Sequence, residues 1–283
     1  MINMVDHNRQ KKIAVINDFS GFGRCSIAVS LPIISAMGIQ CCPLPTAMFS
    51  NHTGFESFYR VDFTGHMRQY MSEWDKLGLQ FSGIATGFLG SEEQIEIVAD
   101  FLQEFATDDT IVLIDPVMGD YGKLYPSYSE KLAMKMHRLI PYADILTPNL
   151  TEACILTKTE YREDITTEEL RVLCDELARQ CDNDKNIKIV ISGLNRDRYL
   201  ENFVYERDTE PQLVMTPKIG SNRSGTGDVF SSIIAGCAVR GMEFRESVWM
   251  ASEFIGRCMK TTMEMGLPGT DGIAFEEHLF ELR

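Results

Sequence analysis

Apolar runs of strand length alternate with amphipathic runs of helix length along most of the chain. The runs "KKIAVIND" and "IKIVISG" are almost continuously apolar, which is typical of strands buried on both faces of a sheet. Helices are predicted over residues 64–77, 91–105, 127–139 and 166–181, and the last of them is amphipathic. Strands that alternate with helices predict an α/β fold with a mostly parallel central sheet flanked by helices.

The pattern changes towards the end of the chain. "RYLENFVYE" and "PQLVMTPKI" alternate apolar and polar residues around the turn-like "RDTE", which predicts an antiparallel edge on the sheet. Two long helices are expected next, at 226–240 and from Arg245 to about Thr262. Because no repeat, low-complexity run or linker interrupts the sequence, we predict a single domain over residues 1–283.

Polar or glycine residues follow several of the predicted strands. Asp18 follows the first strand, Asp115 the fourth, Asn149 the fifth, and Ser192 with Gly193 the sixth. In open α/β sheets, ligands bind beyond the carboxyl ends of the strands, where the following loops meet. We therefore expect these residues to lie together at one ligand-binding edge.

The net charge of -14 restricts the partners of the protein. It argues against nucleic-acid binding, which needs clustered Lys and Arg. No run approaches the roughly 20 apolar residues of a membrane span, and the first residues lack the apolar middle of a secretory signal, so we expect no membrane and a cytoplasmic protein. The eight cysteines form no C-x-x-C pair and are expected to be free thiols. A polyanionic ligand would need backbone N–H groups, magnesium or a few cations here.

The stretch "SNRSGTGDVFSS", residues 221–232, offers such backbone groups. Its glycine turn precedes a predicted helix, and helix N-termini bind anions. Asp228 places a carboxylate at the same point, where it would repel an anion unless the chemistry needs a base there. If the anion is a nucleotide phosphate, Asp228 can take the proton of an acceptor alcohol. The N–H groups of Gly225, Thr226 and Gly227 would then stabilise the phosphoryl group.

Two further motifs carry acidic residues, and each has a plain structural alternative. In "DPVMGD", Asp115 and Asp120 either face a ligand at the end of a strand or cap turns, where aspartate is common. In "TPNLTE", Asn149 and Glu152 have the spacing of an N-terminal cap. The same oxygens could hold a hydrated magnesium ion, which takes few protein ligands.

The motifs "DPVMGD", "TPNLTE" and "GTGD", in this order, resemble those of the ribokinase-like superfamily of small-molecule kinases. "FSNHTGF" at 49–55 and "GFLGSEEQ" at 87–94 resemble pyridoxal kinases more closely. The resemblance covers nearly the whole chain. It implies a three-layer ribokinase-like fold and ATP-dependent phosphorylation of the 5′-hydroxymethyl group of pyridoxal, pyridoxine or pyridoxamine, with Mg²⁺. By family analogy, a monovalent cation such as K⁺ and a homodimer are also expected.

The resemblance implies a role for each site residue. Asp228 would be the catalytic base beside the anion hole of Gly225, Thr226 and Gly227. Asp115 and Glu152 would serve the metal. The residues expected to contact ATP, besides the anion hole, are Asp115, Asp120, Tyr125, Asn149, Ser192 and Gly193. The residues expected to contact the vitamer are Asp18, Phe49, His52, Thr53 and Phe88.

Two positions depart from the pyridoxal kinase pattern. Asp18 stands where those kinases carry a serine in an "I-Q-S-H" context, and its surroundings are similar to the "D-x-S-G-G" opening of hydroxymethylpyrimidine kinases. Such an aspartate could pair with a protonated ring nitrogen or an exocyclic amine. Phe88 replaces a usual ring-stacking tyrosine. His52 and Tyr125 are open to either a ligand contact or a purely structural role.

Two other functions therefore stay in view. One is a hydroxymethylpyrimidine kinase of thiamine synthesis, which Asp18 and Gly21 favour and "FSNHTG" disfavours. The other is a non-catalytic pyridoxal-binding protein on the same scaffold. The presence of Asp228 argues against the second, since loss of the base is the simplest route to an inactive kinase.

Overall fold

A computed structural model describes residues 6–182 and 186–283. The strands within these ranges are, in chain order, β1 (Lys12–Ser20), β2 (Gln40–Phe49), β3 (Arg60–Asp62), β4 (Gly83–Thr86), β5 (Ile111–Ile114), β6 (Gly119–Asp120), β7 (Lys123–Leu124), β8 (Ile145–Leu146), β9 (Lys188–Arg196), β10 (Tyr199–Glu206) and β11 (Gln212–Pro217). The α-helices are α1 (Ile27–Ala36), α2 (Thr64–Lys76), α3 (Glu92–Phe105), α4 (Glu130–Lys135), α5 (Leu150–Thr157), α6 (Thr167–Gln180), α7 (Thr226–Arg240) and α8 (Phe244–Glu264).

One nine-stranded sheet, in the order β11-β10-β9-β8-β5-β4-β1-β2-β3, forms the middle of the protein. The pairings from β9 through to β2 are parallel. The strands β10 and β11 are antiparallel at one edge, and β3 is antiparallel at the other. The predicted α/β class and antiparallel edge are confirmed. The second antiparallel edge was not predicted, because the three exposed residues of β3 carry no buried-strand pattern.

Helices cover both faces of the sheet, which gives the expected three layers. The core against α1, α7 and α8 contains Ile13 and Val15, while Ala14 and Ile16 point to the core against the helices α2 to α6. Neighbouring residues of β1 thus enter opposite cores, as the alternation of a strand requires. This explains why the first predicted strand is apolar at every position rather than at every second one.

The helix predicted at 127–139 is shorter in the structure than the sequence indicated. Ser129 caps α4 by accepting the Leu132 N–H at 3.1 Å, so the helix starts at Glu130 rather than at residue 127. After Lys135 the chain tightens into 3₁₀ turns, one of which carries Pro141 near its start. The predicted helix is therefore divided into a short α-helix and two 3₁₀ turns. Within the described residues, no helix combines the length and apolarity needed to cross a membrane.

Candidate active site

One cavity of about 850 Å³ opens at the carboxyl ends of the parallel strands. Its size is in the range of small-molecule and cofactor sites. Every residue predicted for the site lines this cavity: Asp18, Phe49, His52, Thr53, Phe88, Asp115, Asp120, Tyr125, Asn149, Glu152, Ser192, Gly193, Gly225, Thr226, Gly227 and Asp228. The structure therefore brings the predicted residues together.

The glycine turn forms the N-terminus of α7. Gly225 is the N-cap residue and has φ +78°, a conformation that L side chains rarely adopt. A Cβ at this position would lie 1.9 Å from the carbonyl oxygen of Arg24, so glycine is also required by the close approach of two backbone segments. The first helical hydrogen bond runs from Val229 N–H to Gly225 O at 3.0 Å. Helix geometry leaves the earlier N–H groups, including those of Thr226 and Gly227, available for an anion.

Asp228 lies in the first turn of α7, and part of its side chain faces the cavity. Its Oδ1 accepts a hydrogen bond from Asn17 Nδ2 at 3.0 Å. Burial raises the pKa of the Asp228 carboxyl group, while the Ser26 backbone N–H and the Asn17 amide lower it. A carboxylate held in this way is suited to accept a proton from an alcohol.

Asp18 is buried at the end of β1. Its Oδ1 accepts the Ser26 hydroxyl at 2.7 Å, and its Oδ2 accepts the Ser20 hydroxyl at 3.2 Å. Burial, with a smaller contribution from the charge of Asp228, raises the pKa of Asp18 to about 6, although both serine hydroxyls act in the opposite direction. Asp18 thus shapes the loop before α1 as well as facing the cavity.

Aromatic rings form one wall of the cavity near Asp18. Phe49 and Phe88 meet edge to face with their ring centroids 6.2 Å apart, and the Arg60 guanidinium lies 5.7 Å above the Phe49 ring. Phe88 is held by its backbone, since its N–H donates to Asn17 and its carbonyl accepts Thr46 Oγ1 at 2.9 Å. Such a wall can bind the face of a flat heterocycle.

His52 joins this wall to the loop near the end of the chain. Its Nδ1 accepts the Gly54 N–H at 3.1 Å, so the proton of the neutral ring lies on Nε2. That Nε2 donates to the carbonyl oxygen of Thr270 at 2.7 Å. Both ring nitrogens therefore have protein partners, which is the structural role left open above. The hydroxyl-bearing side chain of Thr53 next to it is exposed at the cavity rim.

The "TPNLTE" motif forms a complete capping box at the start of α5. Asn149 Oδ1 accepts the Glu152 N–H at 3.0 Å, and Glu152 Oε2 accepts the Asn149 N–H at 2.9 Å. Glu152 Oε1 accepts the Met118 N–H at 3.0 Å, which ties the helix to the "DPVMGD" segment. The capping alternative is thus realised, and it places both residues on the wall of the cavity.

The acidic groups near this capping box have raised pKa values. Burial is the main cause for Asp115, and the charges of Glu152 and Asp228 add to it. Burial raises the pKa of Glu152 to about 8 even though backbone N–H groups pull in the other direction. A cation bound here would relieve the repulsion among these acids. Within the described residues, no group of three or more His, Cys, Asp or Glu side chains is arranged to hold a metal.

The remaining predicted residues also line the cavity. Asp120 belongs to the β6–β7 hairpin and accepts the Tyr121 N–H at 2.8 Å, which is the turn role foreseen for it. Tyr125 follows that hairpin and is 39% exposed, so its ring is free to cover a ligand. Ser192 and Gly193 lie within β9, and Gly193 N–H donates to Asn202 Oδ1 at 3.0 Å.

Sequence reasoning missed Asn17, Ser20 and Ser26, which hold Asp18 and Asp228. Asn17 and Ser20 flank Asp18 at the end of β1, so the position of Asp18 was the available signal for them. The hydrogen bond between Asn17 and Asp228 joins residues 211 positions apart, and no local pattern indicates such a partner.

Comparison with known proteins places this arrangement in a family. The phosphomethylpyrimidine kinase family model matches residues 27–271. A structure of a candidate phosphomethylpyrimidine kinase from Bacteroides thetaiotaomicron, determined with pyridoxal, is 37% identical and superimposes with a TM-score of 0.92, covering 97% of this chain and 96% of that one.

Two curated relatives differ in activity. A thiamine biosynthetic bifunctional enzyme of Arabidopsis thaliana is 26% identical over 87% of this chain, and a pyridoxal kinase of the same plant is 26% identical over 72% of it. The match spans 46% of the length of the first relative and 66% of the second. The family match covers most of the sequence and the relatives agree with the fold described above, so the resemblance to ribokinase-like kinases is confirmed. The chain belongs to the phosphomethylpyrimidine kinase family of phosphotransferases.

Proposed function

We propose that this protein transfers the γ-phosphoryl group of ATP to the 5′-hydroxymethyl group of a B6 vitamer: pyridoxal, pyridoxine or pyridoxamine. The observation that carries the proposal is the position of Asp228. This carboxylate lies in the first turn of α7, beside an anion-binding N-terminus, in the same cavity as an aromatic wall. A base, a phosphoryl site and a ring site within one cavity are what phosphorylation of a heterocyclic alcohol requires.

The proposed reaction is a transfer of the γ-phosphoryl group from ATP to the hydroxyl oxygen of the vitamer. The vitamer oxygen forms a bond to the γ-phosphorus, and the bond from that phosphorus to the β–γ bridging oxygen breaks, which releases ADP. Asp228 accepts the proton of the attacking hydroxyl group. The N–H groups of Gly225, Thr226 and Gly227 stabilise the charge that spreads over the phosphoryl oxygens.

The charges that line the cavity support a divalent cation. Six acidic residues line the cavity: Asp18, Asp115, Asp120, Glu152, Glu163 and Asp228. Among the described lining residues, the cationic side chains are those of Lys218 and Arg223 alone. Magnesium would neutralise phosphate charge there. Since both Glu152 oxygens already accept backbone N–H groups, we propose Asp115 as the direct ligand and Glu152 as its support.

Hydroxymethylpyrimidine is the second candidate acceptor, and two observations favour it. The family model that matches residues 27–271 is that of phosphomethylpyrimidine kinase. The sequence around Asp18 resembles the opening of hydroxymethylpyrimidine kinases. A relative of 37% identity whose structure contains pyridoxal supports the vitamer. The acids Asp18 and Asp228 disfavour any acceptor that already carries a phosphate, because like charges repel.

Rates of ADP release test the proposal. Purified protein is given Mg-ATP with pyridoxal, pyridoxine, pyridoxamine, hydroxymethylpyrimidine or hydroxymethylpyrimidine phosphate, each in a separate reaction. We expect the highest kcat/KM with a vitamer and the lowest with the phosphorylated pyrimidine. Highest turnover with hydroxymethylpyrimidine would transfer the assignment to the second candidate, and absence of turnover on every alcohol would reject both.

Asp18→Ser is expected to change acceptor selectivity. The substitution removes one hydrogen-bond partner for the ring, worth about 1 kcal/mol, so the kcat/KM ratio of pyridoxal to hydroxymethylpyrimidine should change roughly fivefold. The ratio is measured with both acceptors on each variant. Ser20→Ala is the matched control, because it removes the longer of the two serine contacts of Asp18 and leaves the carboxylate in place. Equal loss of rate on both acceptors would contradict a selectivity role.

A further inference from the structure

The side chain of Asn17 connects the proposed base to the aromatic wall. Asn17 is 4% exposed near the end of β1. Its Nδ2 donates to Asp228 Oδ1 at 3.0 Å, and its Oδ1 accepts the N–H groups of Asp18 at 2.9 Å and Phe88 at 2.8 Å. We propose that Asn17 is a positioning residue for proton transfer: it fixes the Asp228 carboxylate and selects which of its oxygens receives the proton of the acceptor. This inference rests on the proposed role of Asp228 as the base.

The hydrogen bonds define how the Asn17 amide is oriented. Two backbone N–H donors point at one end of the amide, and only its carbonyl oxygen can accept them. The amino group must then face Asp228. The backbone N–H groups of Asp18 and Phe88 thus hold Asn17 so that its amino group donates to the base. An ionised aspartate at this position could not donate.

This donor has two effects on Asp228. It donates to Oδ1 and not to Oδ2, so the amide makes the two carboxylate oxygens unequal towards the hydroxyl group of the acceptor. It also stabilises the ionised carboxylate against the burial that raises its pKa. The same amide holds the backbone of Phe88, so the ring wall and the base keep a fixed separation, which proton transfer in one step requires.

Gly87 allows this arrangement. A Cβ on Gly87 would lie 2.3 Å from Asn17 Nδ2, yet the backbone of Gly87 does not have a positive φ. Glycine is therefore needed here for close packing on the Asn17 amide and not for its conformation. The register between β1 and β2 also shifts between Asn17 and Phe19, so the strand is irregular next to the Asn17 amide.

Besides the neutral Asn17 amide, several titratable groups lie near Asp228. They are Asp18 at the end of β1, Cys25 before α1, His52 in the substrate segment, Asp115 after β5 and Tyr125 after the β6–β7 hairpin. All of them remain when Asn17 is replaced. A change in the titration of Asp228 between wild type and a variant at position 17 that adds no charge therefore reports on the lost amide donor.

Asn17→Asp is the sharpest test. The new carboxylate can still accept the N–H groups of Asp18 and Phe88, so a merely structural role is preserved, but it cannot donate to Asp228 when ionised. We expect kcat on the best acceptor to fall roughly tenfold to hundredfold, the effect of losing a hydrogen bond to a charged group. The acidic limb of the pH profile of kcat should move to higher pH, because a nearby carboxylate disfavours ionised Asp228. KM for ATP should not change.

Asn8→Ala provides the matched control. Asn8 also bridges two backbone groups, Gly78 O and Gln80 N–H, each at 2.9 Å, and it does not line the cavity. Its loss should leave kcat and the pH profile at wild-type values. If Asn17→Asp has the same kcat and the same acidic limb as wild type, the positioning role is wrong.

A measurement without turnover separates this inference from the proposed function. The titration of Asp228 is followed by ¹³C NMR of its carboxyl carbon, assigned with Asp228→Asn, in wild type and in Asn17→Ala, which removes the amide donor and adds no charge. We expect the midpoint at higher pH in the variant, whether or not any tested alcohol is phosphorylated. Identical midpoints would overturn the role of Asn17, whereas an inactive wild type with shifted midpoints would overturn only the proposed reaction.

Discussion

Replacing Asp228 by asparagine is expected to lower kcat by a factor of about 10² or more, the usual contribution of a placed general base. The amide has the shape of the carboxylate, and its Oδ1 can still accept the Asn17 amino group. It cannot take a proton from the acceptor alcohol. Because the N–H groups at the start of α7 are unchanged, the affinity for ADP should not fall, and removal of a buried charge should leave the fold intact.

Steady-state kinetics and calorimetry with ADP measure the two parts of this prediction. Glu246→Gln is the matched control, since Glu246 occupies the corresponding position in the first turn of α8 but is exposed and does not line the cavity. The control should keep its full kcat. Turnover of Asp228→Asn within about twofold of wild type would remove Asp228 from the mechanism, because a lost general base costs far more than that.

Gly225→Ala is expected to distort the glycine turn before α7 and to destabilise the protein. A left-handed backbone costs a non-glycine residue about 1 kcal/mol, and overpacking adds roughly 1–3 kcal/mol. The second cost applies because the new Cβ would lie 1.9 Å from the Arg24 carbonyl oxygen and 3.0 Å from the Cys25 Cα, both of which are backbone atoms. We expect the free energy of unfolding to fall by about 2–4 kcal/mol and ADP binding to weaken as the turn moves.

Urea unfolding and ADP titration check this prediction against Gly227→Ala. Gly227 lies two residues away in the same turn and has no positive φ, and a methyl group on its Cα would meet no atom of the described residues within 4 Å. Its replacement should leave the free energy of unfolding close to the wild-type value. Equal stability of wild type, Gly225→Ala and Gly227→Ala would contradict the packing of the turn on the Arg24 carbonyl.

The fold was largely predictable because buried positions are apolar and recur with the spacing of strands and helices. β1 enters two cores and is apolar throughout, so its place in the centre of a covered sheet was evident. β3 is exposed at all three positions and pairs with the edge of β2, so its sequence has no apolar pattern that predicts a strand. After α4 the chain continues in 3₁₀ turns that bury Met136, Leu139 and Ile140, so the apolar spacing of this stretch still resembles that of a helix.

The site was predictable where function uses local motifs. "GTGD" and "TPNLTE" each form a helix N-terminus, and local spacing is enough to identify one. The partners of these motifs were not predictable, because they come from distant parts of the chain. Asn17 and Asp228 are 211 positions apart in the sequence. The Arg24 carbonyl contacts Gly225 because α1 and α7 pack together on the same face of the sheet.

A single competition reaction tests the central proposal most directly. Wild-type protein, Mg-ATP and equal concentrations of pyridoxal and hydroxymethylpyrimidine are mixed, and both phosphorylated products are quantified by mass spectrometry early in the reaction. The product ratio equals the ratio of the two kcat/KM values. We predict that pyridoxal phosphate dominates and that Asp228→Asn forms neither product at a comparable rate. Dominance of the phosphorylated pyrimidine, or undiminished product formation by the variant, would contradict the account.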